Sequence, residues 1–180
     1  WWYMLQDLVI NNSQIKFEYH DQSFIFKTEN KLEKERSFLQ IRSMIIGSIK
    51  NDFMALIEAI FYPYNIKYED YLNLTLSWDQ IIELSHDPLV TIGSHTFNHY
   101  SLKSLSRLEA ENEIFLSKKD LENKIEKNVN HFAYPFGTRN EAGEREFQIV
   151  KSANFKTATT TRQGNIFYKH SSYFECLPRV

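Results

Sequence analysis

The run Leu89-Val90-Thr91-Ile92-Gly93-Ser94-His95-Thr96-Phe97-Asn98-His99 decides how the chain reads. Its first half, Leu89 to Gly93, is a short apolar stretch, the signature of a buried strand. Its second half places two histidines four residues apart. Upstream, Ser77-Trp78-Asp79-Gln80 has the spacing of a capping box opening a short helix through Leu84, which His86-Asp87-Pro88 stops. Downstream, Ser106-Arg107-Leu108-Glu109 is a second capping box, and Ala110, Ile114, Leu121 and Ile125 form one stripe of the helix it starts. His131-Phe132-Ala133-Tyr134 is another apolar run, closed by Pro135-Phe136-Gly137. A helix is expected over Glu141 to Ser152, with Phe147 and Val150 facing inward, and a third β-rich run over Phe155 to Thr160. Short strands alternating with helices predict an α/β fold with a parallel sheet or barrel.

The N-terminal third has a different texture. Ile15 to Tyr19 alternates apolar and polar residues, His20-Asp21-Gln22-Ser23 turns the chain, and Phe24-Ile25-Phe26 follows, which predicts a hairpin. From Glu33 to Phe61, Phe38, Ile41, Ile45, Ile49, Phe53, Leu56 and Ile60 recur at helical spacing. One long helix is expected there, weakened at Gly47 and ended by Tyr62-Pro63. The chain is thus read as residues 1–75, hairpin plus long helix, and residues 76–180, the alternating block.

Composition narrows the function. Apolar residues at 42% and charged residues at 24% fit a folded chain, which excludes disorder as a description of the whole. The 21 basic and 23 acidic residues leave a net charge of -2, so there is no basic field to hold a nucleic acid. The single cysteine, Cys176, can make neither an internal disulfide nor a Cys-rich zinc site. No stretch reaches the length of a membrane span. The 14 Phe, 10 Tyr and 3 Trp need a core or a ligand surface to cover them. Trp1, Trp2, Tyr3 and Trp78 are among these rings, and core packing is the first explanation for most of them. The chain opens on Trp1 with no initiator Met and no signal-peptide pattern, which suggests a processed or partial sequence.

His95 and His99 carry the sharpest chemical signal. Imidazoles at i and i+4 point the same way if the segment enters a helical turn, and imidazole is the commonest metal ligand. His95 also falls just past the C-terminal end of a predicted strand, where α/β folds place their sites. A pair of surface or capping histidines is the competing reading. A catalytic zinc takes three protein ligands. Asp79, Glu83, Asp87 and His131 are nearby candidates for the third, but no spacing compels any of them, and solvated helix ends explain the first three as well. The turn after Tyr134 presents backbone N–H groups that could face an oxyanion, or it is a plain strand-to-helix turn.

Together these segments resemble the polysaccharide deacetylases of carbohydrate esterase family 4. His95-Thr96-Phe97-Asn98-His99 matches that family's H-[ST]-x-x-H motif, and Ala133-Tyr134-Pro135-Phe136-Gly137 matches in part its R-x-P-Y-G turn. The resemblance covers about Leu76 to Val180, with residues 1–75 similar to an inserted or variable segment. It implies part of a distorted (β/α)7 barrel with an N-terminal hairpin and long-helix insertion. It implies a divalent metal, usually zinc, on His95 and His99, and an oxyanion contact from the Phe136 N–H. It further implies hydrolysis of N-acetyl groups on a polymeric amino sugar, and a setting in the bacterial envelope or outside the cell.

Three departures shape the expectations. The family's T-F-D-D motif, which supplies the base and the metal-binding Asp, is absent from the sequence and is expected upstream of residue 1. Ala133 stands at the motif's Arg and Phe136 at its Tyr. The late L-x-H motif has no match, and Leu177-Pro178-Arg179 near its place offers Arg179 for an orienting or charge-stabilising role. Residues 1–180 alone are therefore expected to be inactive and, with part of a barrel core uncovered, to pair with another copy. A non-catalytic carbohydrate-binding module on the same scaffold is the alternative. A zinc protease is disfavoured, because Thr96 stands where an H-E-x-x-H site needs its glutamate.

Overall fold

A computed structural model of the chain describes residues 1–48 and 50–179, with Lys50 and Asn51 as backbone only. Ile49, expected on the long helix face, and Val180, the end of the second segment, lie outside the described residues. The chain divides into two compact units, Trp1–Leu76 and Ser77–Val180.

In the first unit, helix α1 (Trp2–Asn11) precedes strands β1 (Gln14–Tyr19) and β2 (Gln22–Lys27). The sequence reading missed α1, yet Met4, Leu5, Leu8 and Val9 recur at helical spacing and are all buried. The strands form an antiparallel hairpin in register from Gln14↔Lys27 to Tyr19↔Gln22. His20 and Asp21 make its two-residue turn at φ 49° and 57°, the left-handed pair that matches the twist of a hairpin. The expected single long helix is two: α2 (Lys31–Gly47) and α3 (Lys50–Phe61). The break has a local cause. Ser48 turns to ψ 143°, and its N–H and hydroxyl both donate to Ile45 O, at 3.3 and 2.7 Å. That closes α2 just after Gly47, the weakest helix former on the stripe. The apolar stripe nonetheless survives the break, since Ile41 and Ile45 of α2 and Leu56 and Ile60 of α3 share one core with Leu5 and Leu8.

The second unit follows the predicted alternation. Helices α4 (Trp78–His86) and α5 (Arg107–Ile125) each start with a complete capping box, on Ser77 with Gln80 and on Ser106 with Glu109. Strand β3 (His131–Ala133), helix α6 (Glu144–Ser152), strand β4 (Thr157–Gln163) and strand β5 (Leu177–Arg179) complete it. Helix α6 begins three residues later than expected, because the Glu141 carboxylate accepts the Thr138 N–H at 3.1 Å and holds residues 138–141 as a turn. The sheet is parallel in the order β3-β4-β5, and α6 makes the crossover between its first two strands. Its core gathers Phe132, Tyr134, Ile114, Ile149, Val150 and Ala158.

Leu89 to Gly93 is not the buried strand expected. Only Ser94 pairs, as an isolated parallel bridge to Phe132: its N–H donates to His131 O at 2.8 Å, and its carbonyl accepts the Ala133 N–H at 2.9 Å. Leu89 is 93% exposed, and the Asp87 carboxylate accepts its N–H at 2.8 Å, tying it to the end of α4. The chain therefore joins the sheet only from Ser94, just past the run, whose last residue Gly93 lies close against His131. Sheets of two and three strands are small and unclosed, so the described residues show a mixed α/β fold and not a closed barrel.

Candidate functional site

The parallel direction of the second unit's sheet brings several chain segments to one edge. Ser94, β3, β4 and β5 all run the same way, and His95 to His99, Pro135 to Gly137 and Arg179 lie at their C-terminal ends. The C-terminal edge of a parallel sheet is where α/β folds collect chemistry, because loops there can vary without touching the core.

His95 leaves the Ser94 bridge and is held by the next strand. Its Nδ1 lies 2.7 Å from Ala133 O. A carbonyl only accepts, so Nδ1 carries the proton, and in the neutral ring Nε2 keeps its lone pair for a ligand. The chain then turns sharply. Thr96 has φ 66° and His99 φ 58°. A β-branched residue at positive φ is an uncommon, strained conformation. The Thr96 hydroxyl accepts the His99 N–H at 3.1 Å, which closes the turn. The two imidazoles end with ring centroids 4.7 Å apart at an interplanar angle of 70°. Removal from water and the neighbouring His95 charge push the His99 imidazole down to about 4, against a smaller opposing effect of its backbone hydrogen bond, so the ring is held neutral.

Phe136 completes the cluster. Its ring meets His99 edge-on at 4.9 Å, and it too sits at positive φ, 59°. Gly137 follows at φ 59°, and a Cβ there would come 2.7 Å from the Thr161 N. Only glycine fits this turn, which is clamped to β4 by the Thr161 hydroxyl on Phe136 O and the Thr161 N–H on Gly137 O. Arg179 stands at the same edge but farther along the sheet, lining an open cleft of about 460 Å³ with Thr161, Gln163, Gly164 and Asn165.

The sequence candidates for a third metal ligand are placed elsewhere. His131 bonds Thr157 Oγ1 at 2.8 Å across the β3–β4 pair, Asp87 caps the Leu89 N–H, and Asp79 and Glu83 stand exposed on α4. Among the described residues, no group of three or more His, Cys, Asp or Glu is placed to hold a metal. The donor chemistry of His95 and His99 nevertheless fits two positions of a divalent-metal site: two imidazoles in ring contact, one already oriented through its second nitrogen.

Sequence reasoning missed Glu113. This residue of α5 is 6% exposed, and its carboxylate accepts the Phe97 N–H at 3.1 Å, the Asn98 N–H at 2.8 Å and the Asn98 side-chain amide at 2.6 Å. Ser117, one turn further along α5, takes the hydroxyl of Ser94 at 2.7 Å. The one available signal was Glu113 interrupting a buried stripe between Ala110 and Ile114, where a solvated face is the usual explanation.

Comparison with known proteins adds an independent line. The family model described as polysaccharide deacetylase matches residues 54–158. The match starts inside α3, further upstream than the motifs themselves suggest. Among solved structures, the deacetylase PplD of Streptococcus pyogenes, determined with acetate, is 24% identical with a TM-score of 0.55, over 72% of this chain and 58% of that one. A polysaccharide deacetylase of Bacillus cereus is 28% identical with a TM-score of 0.52, over 59% of this chain and 32% of that one. A de-N-acetylase of Aggregatibacter actinomycetemcomitans shares the fold at 18% identity and a TM-score of 0.50, over 60% of this chain and 48% of that one. The chain thus spans about a third to three fifths of the solved structures it matches. No curated protein matches the sequence.

Proposed function

Because this chain belongs to the polysaccharide deacetylase family, we propose that it forms part of an enzyme that hydrolyses N-acetyl groups on a polymeric amino sugar. One observation carries the reading: His95, His99 and the Phe136 turn meet at the C-terminal edge of a parallel sheet, in ring contact with one another. His95 and His99 would hold a divalent metal, with zinc the first choice for imidazole donors. When bound, such an ion supplies Lewis acidity toward a carbonyl oxygen and activates water.

The chain's own residues do the rest. Ala133 O orients the His95 ring, and the Phe136 ring packs edge-on against His99 and shields part of it. The Phe136 N–H is assigned to the developing oxyanion, a kind of contact whose loss costs roughly 10²–10³ in rate where it has been measured. Arg179 is assigned to orient the substrate or balance its charge from the cleft beside Thr161. The catalytic base and third metal donor of the family have no counterpart among these residues. Residues 1–180 are therefore inactive alone under this proposal.

The same proposal places β3, β4 and β5 in a distorted (β/α)7 barrel. It assigns residues 76–180 to the deacetylase block and residues 1–75 to an insertion; the family model matches from residue 54, inside α3. It includes self-association through apolar side chains at the second unit's surface, Leu89 and Phe97 among them. Sedimentation equilibrium showing only monomer would remove that part.

Acetate release tests the main claim. Residues 1–180 with zinc should release none from acetylated chitooligosaccharides, and a longer chain carrying T-F-D-D should. Turnover by residues 1–180 would contradict the assignment of the base outside them. Ala133 in place of the family's Arg favours a second reading, a carbohydrate-binding module without catalysis. Oligosaccharide binding by the longer chain without acetate release would select it.

A further inference from the structure

We infer that Glu113 is the positioning residue that sets the spacing of the His95–His99 pair, and that helix α5 thereby controls metal affinity at a site it does not line. The inference rests on the metal reading proposed above for the two histidines. The loop from Thr96 to His99 starts and ends in the left-handed region, at φ 66° and 58°, and a free loop of this composition would relax out of it. Its own cross-link is the His99 N–H on the Thr96 hydroxyl. Among the described residues, the hydrogen bonds that hold its middle come from one carboxylate. Glu113 Oε2 accepts the N–H groups of Phe97 and Asn98, and Oε1 accepts the Asn98 side-chain amide.

Three donors converge on an acceptor that is 6% exposed, so the interaction is charge-assisted and shielded from competing water. Phe97 and Asn98 are exposed at the surface, so packing does not hold them, and the one side-chain restraint there, the Asn98 amide, also ends on Glu113. The base of the loop is pinned to the same helix, through Ser94 Oγ on Ser117 Oγ at 2.7 Å and Ser117 Oγ on Ile114 O at 3.0 Å. Helix α5 therefore grips the histidine segment at two points one turn apart, below His95 and between the histidines. The conformation that brings the two rings to 4.7 Å is imposed from behind the site.

Glu113→Gln keeps the volume and replaces one acceptor oxygen with a donor, so at least one of the three donors loses its partner. Zinc titration calorimetry on residues 1–180 should show affinity falling about 10–100-fold, the usual cost of losing an outer-shell partner. Hydrogen exchange at the Phe97 and Asn98 amides should accelerate, with exchange in β3 and the melting temperature little changed. Glu111→Gln, two residues earlier on α5, should change neither. Asn98→Ala, at an exposed position, removes only the third bond and should give a smaller loss, which keeps the test valid if Glu113→Gln fails to fold. Zinc affinity within twofold of the parent in Asn98→Ala and in folded Glu113→Gln, with unchanged exchange at Phe97 and Asn98, overturns the inference. If zinc binding by the parent survives His95→Ala, the metal reading fails separately. The exchange rates at Phe97 and Asn98 then still decide whether Glu113 sets the loop.

Discussion

The two units treat backbone strain differently. In the first, the residues at positive φ outside the helices are His20, Asp21 and Asn65, in a hairpin turn and a helix cap. Asn, Asp and His are the non-glycine residues that visit this region most readily. In the second unit, Glu126 and Asn154 occupy it just past the ends of α5 and α6, and Thr96, His99 and Phe136 occupy it at the candidate site. Buried polarity differs too. Both units bury short hydroxyls, Thr28 and Ser37 in the first and Ser94 and Ser117 among those in the second, but the buried carboxylates, Glu113 and Glu146, are in the second. A unit built for packing uses residues suited to each position. At its candidate site the second unit holds Thr96 and Phe136, residues unsuited to this region, at a strain of about 1–3 kcal/mol per position, and the buried Glu113 braces the loop beside Thr96.

The largest expected effect lies in the first unit. Leu8→Ala in its core should destabilise that unit by about 2–5 kcal/mol. The His95 and His99 ring resonances should not move, and a shift in them would break the division between the units. Next comes Glu146→Gln. This buried carboxylate accepts the Gly143 N–H at 2.8 Å and pairs with Arg145 at 2.6 Å. A loss of about 1–3 kcal/mol is expected by denaturant unfolding, since a buried group is left poorly satisfied. No change would show that buried polarity in the second unit is not structural.

Thr96→Gly sharpens the comparison most. It relieves about 1–2 kcal/mol of left-handed strain and gives up a hydrogen bond worth about 1 kcal/mol. Stability should stay nearly level while zinc binding weakens. Tighter binding in that variant would mean that the strain serves no site. The smallest effect belongs to Asp21→Gly, which should stabilise the hairpin by a few tenths of a kcal/mol, because a left-handed turn already suits Asp. A thermal melt that moves by several degrees would show real strain in the first unit as well.

Much of this was legible in sequence because it is local. The S-x-x-[EQ] spacings at Ser77 and Ser106 predict both helix starts; the His95 and His99 rings also meet, but through a left-handed loop at Thr96 and His99 and not through the helical turn the spacing suggests. What failed depended either on distant partners or on local bonds that residue spacing does not reveal. Leu89 to Gly93 has the composition of a strand, but only Ser94 meets a neighbour. Helix α1 lacks a side-chain cap and so had no start signal, while the break after Gly47 needed the Ser48 bonds to Ile45. Glu113 was hidden because its partners lie 15 and 16 residues upstream, where helix periodicity carries no information.

The central claim is that His95 and His99 together form the metal-binding part of the site. Long-range proton–nitrogen NMR of the histidine rings in residues 1–180, followed through a zinc titration, tests it most directly. Ring nitrogens of His95 and His99 should shift together, with His95 Nδ1 still protonated against Ala133 O. His20, His86, His131 and His170 should stay in place. Zinc that moves any of those four first, or leaves His95 and His99 unmoved, would contradict the account.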